Sequence, residues 1–160
     1  MKIVCLDVDG VMNSIASNER VKALRAQGDP HINDLKWASS CFAPWSVEAL
    51  NRITTVTGAS IVISSSWRRG AIPFLRRWGV LGDIIGATPR FDYEHTRGQE
   101  IAAWLESFAK CPGTPEITSL VILDDDADMA PFMDRLVQTS HYERGLTAEH
   151  AERAIELLIA

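Results

Sequence analysis

The chain contains no long hydrophobic run. Apolar residues make up 46% of its 160 positions, but none of their runs approaches the ~18 residues that a membrane-spanning helix needs. The first residues also lack the basic and apolar regions of a signal peptide. We therefore expect a protein without a membrane partner and without an export signal.

Cysteine is also scarce. The three cysteines, Cys5, Cys41 and Cys111, are odd in number and share no spacing typical of a metal site. Cys5 lies inside an apolar run and is interpreted as a buried thiol, which predicts a reducing, cytoplasmic compartment. The four histidines share no ligand spacing either, and we interpret them as surface residues.

Basic residues are in the minority. Lys and Arg number 16 against 21 Asp and Glu, for a net charge of -5. This balance argues against a broad basic surface for nucleic acid, although a local basic patch lies between Trp67 and Trp78. The apolar fraction suffices for a core and excludes a disordered chain. The length predicts one domain over residues 1–160, and nothing indicates an obligate protein partner.

Short apolar runs alternate with amphipathic stretches along most of the chain. The runs are rich in β-branched residues and apolar on both faces, which is typical of buried parallel strands. This rhythm predicts an α/β fold of three layers, Rossmann-like, with helices on both faces of a parallel sheet of about five strands. The predicted strands are residues 2–6, 59–63, 83–88, 119–123 and, more weakly, 136–139.

Helix signals lie between the predicted strands. Ser46 is a plausible N-cap for a helix that ends at Gly58. A second helix is expected over residues 70–78. Thr96 opens a capping box for a third, and a last helix is expected from Thr147.

One long segment fits none of these elements. Residues 13–43 are polar and irregular in pattern, between the first strand and the helix that follows it. Connections of this length are usually functional or disordered. We interpret the segment as a flap or small insertion.

Polar clusters follow the ends of three predicted strands. Asp7 and Asp9 come directly after the first strand, Ser64 after the second, and the run DDDADM (residues 124–129) after the fourth. The carboxyl ends of parallel strands share one edge of the sheet, where ligands bind. Several carboxylates in one crevice cannot all stay ionised without a cation, and oxygen ligands favour Mg²⁺. Since the neighbouring serine and arginine side chains suit phosphate, the sequence predicts phosphoryl chemistry.

Four ordered motifs resemble those of haloacid-dehalogenase-like phosphatases. They are DVDGV at the first strand, a serine ending the second, a basic residue opening a later helix, and LDD ending the fourth strand. The resemblance implies that Asp7 is a nucleophile forming an aspartyl-phosphate, and that Asp9 is the general acid and base. It also implies that Ser64 hydrogen-bonds the phosphoryl group and that Arg97, rather than Lys110, neutralises its charge.

The same resemblance implies a set of metal ligands. Mg²⁺ would be held by Asp7, by the backbone carbonyl of Asp9 and by Asp125, with Asp124 and Asp128 in support. Aligning the motif on Asp124 instead of Asp125 is an open alternative. Two further residues are candidates for substrate contact: Ser65, for which a strand-end cap is the preferred interpretation, and Arg68, which could equally be a solvated surface residue.

A closer resemblance concerns the small phosphatase-like domains of multidomain RNA repair proteins, through LDVDGVMN, SSSWR and RGQEI. We predict a Mg²⁺-dependent phosphomonoester hydrolase that acts on nucleotides or polynucleotide ends. The alternatives are a phosphatase of small sugar or organic metabolites and a non-catalytic metal-binding module. The substrate is thus either a phosphorylated small molecule or a nucleic-acid end.

Overall fold

A computed structural model of the protein describes residues 1–33, 41–92 and 94–160. Its centre is a sheet of five parallel strands in the order β3-β2-β1-β4-β5. Each predicted strand is present, with ends that differ from the prediction by at most one residue. The strands are β1 (Lys2–Leu6), β2 (Ser60–Ile63), β3 (Ile84–Ala87), β4 (Ser119–Asp124) and β5 (Leu136–Gln138).

Helices cover both faces of the sheet, which confirms the predicted three-layer fold. Val4 and Leu6 of β1 point into a core shared with α3, α4 and α6, while Ile3 and Cys5 point into a second core shared with α5. The helices are α1 (Ile15–Ala26), α2 (Pro30–Asn33), α3 (Pro44–Thr57), α4 (Ile72–Arg77), α5 (Arg97–Lys110) and α6 (Ala148–Ile159).

The predicted start of the helix after residue 43 is wrong. Helix α3 begins at Pro44, and Ser46 lies buried in its first turn, where its hydroxyl donates to the Leu146 carbonyl at 2.9 Å. Proline suits the first helical position because its φ is preset there and its missing N–H is not needed. The helix predicted around residues 70–78 is present as the shorter α4, and a 3-10 turn, Arg68–Ala71, precedes it.

Segment 13–43 is not irregular throughout. Ser14 and Ser17 form a reciprocal capping box that starts α1. Val21 of this helix packs with Ile32 and Cys41 in a small separate cluster. The prediction of an irregular segment is therefore wrong for α1, in which Val21 is the one buried apolar residue. Residues 34–40 of the predicted flap lie outside the described residues.

The cysteine thiols are free. Cys5 is fully buried, as predicted, and its burial raises the pKa of the thiol to about 12. None of the helices in the described part of the chain combines the length and hydrophobicity that a membrane crossing requires.

Candidate metal and phosphate site

Backbone hydrogen bonds hold the loops together at the carboxyl edge of the sheet. The chain places β2 and β3 on one side of β1 and then β4 and β5 on the other side. The strand order therefore reverses between β1 and β4. Such a reversal is where α/β sheets open a crevice for ligands. The bonds join Asp7 N to Leu123 O (2.9 Å), Ser64 N to Leu6 O (2.8 Å), Thr88 N to Ile63 O (2.9 Å) and Thr139 N to Asp124 O (2.9 Å).

Three carboxylates meet in this crevice. Asp7, Asp124 and Asp125 each offer one oxygen, and these oxygens lie within 4.8 Å of one another. Asp124 is only 1% exposed, and its Oδ2 accepts no hydrogen bond from the described residues. An acceptor left in this state is costly unless something binds it. The three carboxylates, which we call the acidic cluster, therefore fit a hard cation such as Mg²⁺.

The electrostatics of the acidic cluster lead to the same conclusion. Burial raises the pKa of Asp7, against smaller opposing effects of a hydrogen bond from the Ser65 side chain and of the Arg97 charge. Burial and the charge of Asp7 raise the pKa of Asp124. Without a cation, burial and mutual repulsion therefore disfavour full ionisation of the pair, and a divalent cation would favour it.

The glycine of DVDGV is required by the acidic cluster. Gly10 has a φ of 77°, and a Cβ at this position would lie 2.2 Å from Cγ of Asp125. Any side chain would therefore displace the carboxylate as well as strain the backbone. The Gly10 carbonyl accepts a hydrogen bond from Thr139 Oγ1 at 2.8 Å, which fixes the turn from the β5 side.

Asp9 lies near the acidic cluster, but its carboxylate does not belong to it. Oδ1 accepts a hydrogen bond from Asn13 Nδ2 at 2.8 Å, and Oδ2 accepts one from Trp67 Nε1 at 2.7 Å. Trp67 also packs edge-to-face on Phe74, so it both contributes to packing and orients Asp9. Both oxygens of Asp9 are thus oriented by donors, and its implied contact with a metal remains one through the backbone carbonyl.

The two candidate serines differ in their surroundings. Both are fully buried. The hydroxyl of Ser64 has no hydrogen-bond partner among the described residues, so it is available to a bound group. Ser65 instead hydrogen-bonds Asp7 and accepts, at 3.4 Å, from the Trp67 backbone N–H. Ser65 therefore supports Asp7 and begins the turn after β2.

Arg97 is the cation closest to the acidic cluster among the residues described. Its Nε lies 3.8 Å from Asp124 Oδ2, and its Nη1 lies 3.5 Å from Glu100 Oε2. Lys110, the rejected alternative, forms an exposed ion pair with Glu106 at the opposite end of α5. The structure therefore places the predicted basic residue beside the predicted metal ligands.

Arg68 is engaged in an ion pair. Its Nη2 donates to both oxygens of Glu100 at 2.9 Å, and its Nη1 donates to Thr88 Oγ1 at 2.7 Å. Its φ of 49° is uncommon for a residue other than glycine. Sequence reasoning missed Glu100 and Thr88 as partners in this site. The signal for Glu100 was its position three residues after Arg97, on the same face of a capped helix.

Asp128 is not part of the acidic cluster. Its carboxylate accepts a hydrogen bond from the Arg97 backbone N–H at 3.0 Å, and its carbonyl accepts one from Gly98 N at 3.1 Å. A carboxylate is favourable at a helix N-terminus because it complements the helix dipole. Asp128 thus positions Arg97 through the backbone. Among the described residues, no contact of Asp128 with the acidic cluster supports the expectation that it assists metal binding.

Comparison with protein families gives one match. The model described as the HAD domain in Swiss Army Knife RNA repair proteins matches residues 3–151. This match confirms the predicted resemblance to haloacid-dehalogenase-like domains. It also confirms the closer resemblance to such domains in RNA repair proteins. Comparisons with curated proteins and with solved structures gave no match.

Proposed function

This chain belongs to the family of HAD domains in Swiss Army Knife RNA repair proteins, and we propose that it is a metal-dependent phosphomonoester hydrolase acting on nucleotides or polynucleotide ends. The observation that carries this proposal is the position of Asp7. Its carboxylate is buried at the crevice of the sheet, within 4.8 Å of two further carboxylates. Arg97 lies beside the same group, where it can neutralise a bound phosphate.

In the proposed mechanism a carboxylate oxygen of Asp7 attacks the phosphorus atom of the ester. The bond to the leaving oxygen breaks, Asp9 gives that oxygen a proton, and an aspartyl-phosphate forms on Asp7. Asp9, now ionised, then takes a proton from the water that attacks the phosphorus. Phosphate leaves, and both carboxyl groups return to their starting states. Covalent catalysis of this kind divides one difficult step into two easier ones.

Side chains around Asp7 would bind the phosphoryl group. The Ser64 hydroxyl, buried and without a partner among the described residues, can donate a hydrogen bond to it. Arg97 can oppose the charge on its oxygens, and Asp128 and Glu100 hold Arg97 in place. Donors that are fixed before reaction stabilise the developing charge without reorganisation.

The acidic cluster and the Asp9 carbonyl would hold Mg²⁺. The buried Oδ2 of Asp124 supports a direct role for that residue next to Asp125. When bound, the cation would offset enough negative charge for a carboxylate nucleophile and a phosphate to approach each other.

The substrate class is supported by the length of the insertion. Segment 13–43 is too short for an inserted cap domain that would enclose a small metabolite, so a bulky substrate such as a nucleic-acid end is favoured. The description of the matching family points in the same direction.

A phosphatase assay tests the proposal. Purified protein is incubated with an aryl phosphate, with mononucleotides and with oligonucleotides phosphorylated at either end, in Mg²⁺ and in excess EDTA. We expect hydrolysis that requires Mg²⁺ and that falls to below about a thousandth of the wild-type rate in Asp7→Asn. Asp134→Asn, at an exposed position outside the acidic cluster, is the control and should retain the wild-type rate.

The assay also separates the alternatives. Activity that survives EDTA would contradict the metal assignment. A preference for sugar phosphates over every nucleotide would favour a metabolite phosphatase. No hydrolysis of any phosphomonoester would identify a non-catalytic module.

A further inference from the structure

A groove of about 330 Å³ opens at the N-terminal end of α5, and we call it the α5 groove. It is separate from a larger apolar groove of about 550 Å³ near the C-terminal end of the same helix. Arg97 lines the α5 groove and also lies 3.8 Å from Asp124 of the acidic cluster. A substrate whose phosphate is bound at the acidic cluster can therefore extend from it into this groove.

The carboxylates of the α5 groove already have partners. Arg90 is different: it is exposed at the rim and forms no ion pair within the described ranges. An uncompensated cation at this place favours a ligand with a negative charge of its own. The engaged carboxylates are Glu100 (with Arg68, 2.9 Å), Asp92 (with His95 Nδ1, 2.5 Å) and Asp128 (with Arg97 N, 3.0 Å).

Phe91 gives the α5 groove an apolar wall. Its side chain is 38% exposed, and its ring centroid lies 5.0 Å from that of His95. Its backbone N–H donates to Glu100 Oε1 at 3.0 Å, which anchors the residue without using the ring. Proteins bind single-stranded nucleic acid by stacking bases on aromatic rings of this kind beside basic side chains. A sugar phosphate has no planar aromatic base to stack there.

We propose that the α5 groove binds the second nucleotide of a single-stranded nucleic acid, the one that follows the nucleotide bearing the terminal phosphate, with its base against Phe91 and the phosphate that links it to the first nucleotide at Arg90. This inference rests on the proposed function, because it assumes that the terminal phosphate lies at the acidic cluster. The chain carries a net charge of -5, so the contact is confined to a few nucleotides rather than spread over a basic surface.

The first test compares kcat/KM for an aryl phosphate, a mononucleotide and a trinucleotide with a terminal phosphate. We expect the wild type to prefer the trinucleotide over the mononucleotide by about tenfold, since each stacked base strengthens binding. Phe91→Ala should lower the ratio of trinucleotide to aryl phosphate activity about five- to fiftyfold. Leu81→Ala, an apolar residue that is 75% exposed and lies outside the α5 groove, should leave that ratio unchanged.

The second test needs no catalysis. Binding of a phosphate-free, fluorescently labelled hexanucleotide is measured by anisotropy in EDTA over a range of salt. Arg90→Gln should reduce the slope of log affinity against log salt by about 0.7, the value for one phosphate contact on a single strand. Arg153→Gln, which removes a cation of an exposed ion pair on α6, should leave the slope as it is.

The two tests distinguish failure of this inference from failure of the proposed function. Hydrolysis without a preference for the trinucleotide, or with a preference that Phe91→Ala does not change, would contradict nucleotide binding in the α5 groove. It would leave the proposed phosphatase function unaffected. If no substrate is hydrolysed but hexanucleotide binding depends on Phe91 and Arg90, the phosphatase function would be contradicted and nucleotide binding in the α5 groove would be supported. Absence of hexanucleotide binding would contradict nucleotide binding in the α5 groove.

Discussion

Arg68 and Glu100 hold each other through two hydrogen bonds of 2.9 Å from one guanidinium nitrogen. One residue belongs to the turn after β2 and the other to the first turns of α5, so the pair joins the two sides of the predicted phosphate site. Glu100 also accepts from Phe91 N at 3.0 Å and lies 3.5 Å from Arg97. It is therefore a positioning residue for Arg97 and for the wall of the α5 groove.

Glu100→Gln tests this role. The amide loses the charge that balances Arg68, whose side chain is only 22% exposed, so we expect the free energy of unfolding to fall by roughly 1–3 kcal/mol. Since Arg97 loses a nearby partner, kcat/KM for an aryl phosphate should fall about tenfold. Urea unfolding and steady-state kinetics measure the two effects.

Glu106→Gln is the matched control, because Glu106 forms an exposed ion pair with Lys110 on the same helix. It should leave the free energy of unfolding close to the wild-type value, because solvent screens an exposed ion pair. Equal effects of the two substitutions would contradict the positioning role of Glu100.

The sheet can be predicted from the sequence because the signal for each strand lies within a few consecutive residues. Each strand is a short apolar run, and α/β alternation predicts a parallel sheet with helices on both faces. The sequence also places Asp7 and Asp124 together, since both follow strands that pair side by side. The sequence shows that a glycine follows Asp9 in DVDGV, but the closeness of this glycine to Asp125 is visible only in the folded protein.

The sequence predicts contacts between distant loops less well. Arg68 meets Glu100 and Thr88 across 32 and 20 positions, and no periodicity carries such a pairing. Helix α1 was missed for a different reason: its buried residues are only Ser17 and Val21, so the apolar stripe that signals a helix is nearly absent. Ser46 was misplaced because the helix begins at a proline two residues earlier.

Gly10→Ala should weaken metal binding. The new Cβ would lie 2.2 Å from Cγ of Asp125, so that carboxylate must leave the acidic cluster. We expect the affinity for Mg²⁺ to fall at least tenfold, on the scale of losing support for a ligand. Isothermal titration with Mg²⁺ measures the affinity, and the aryl phosphate assay measures the activity, which should fall with it.

Gly58→Ala is the control for the backbone. Gly58 has a similar φ of 68°, but a Cβ there would meet nothing within 4 Å. Both substitutions should lower the free energy of unfolding by about 1–2 kcal/mol through left-handed strain. Only Gly10→Ala should lose Mg²⁺, and an unchanged Mg²⁺ affinity in that variant would remove Asp125 from the ligand set.

Asp124→Asn should stabilise the metal-free protein at high pH. Burial and the charge of Asp7 raise the pKa of Asp124 in the folded state. The folded protein therefore favours the protonated group, and this carboxyl lowers the free energy of unfolding progressively as pH rises from its unfolded value, about 4, through its raised folded value. In EDTA, the variant should exceed the wild type by roughly 1–3 kcal/mol at pH 8 and by much less at pH 5.

Magnesium should reverse that order. At pH 8 the wild type gains stability with Mg²⁺ according to its affinity, whereas Asp124→Asn gains less because it has lost a ligand. Urea unfolding at both pH values, with and without Mg²⁺, measures all four combinations. A variant that is less stable than the wild type in EDTA at pH 8 would show that the two buried carboxylates are compensated by something other than a cation.

The last prediction separates an enzyme from a metal-binding module and concerns Asp9. Both of its oxygens accept hydrogen bonds, from Asn13 and Trp67, which keeps the carboxyl oriented beside Asp7. Asp9→Asn cannot protonate a leaving group, and general acid catalysis contributes roughly 10²–10⁴-fold where that proton is needed. We expect a large loss of activity on a nucleotide and a small loss on an aryl phosphate, whose leaving group needs little protonation.

The same substitution should slow hydrolysis of the aspartyl-phosphate, because no base then activates water. The covalent intermediate should accumulate on Asp7 with the aryl phosphate and appear as a phosphate-sized increment in the intact mass. Trp67→Phe is a useful companion, since it removes one of the two donors and keeps the carboxyl, so its loss on the nucleotide should be the smaller one. An equal fractional loss on both substrates in Asp9→Asn, with no trapped adduct, would mean that Asp9 only orders the site.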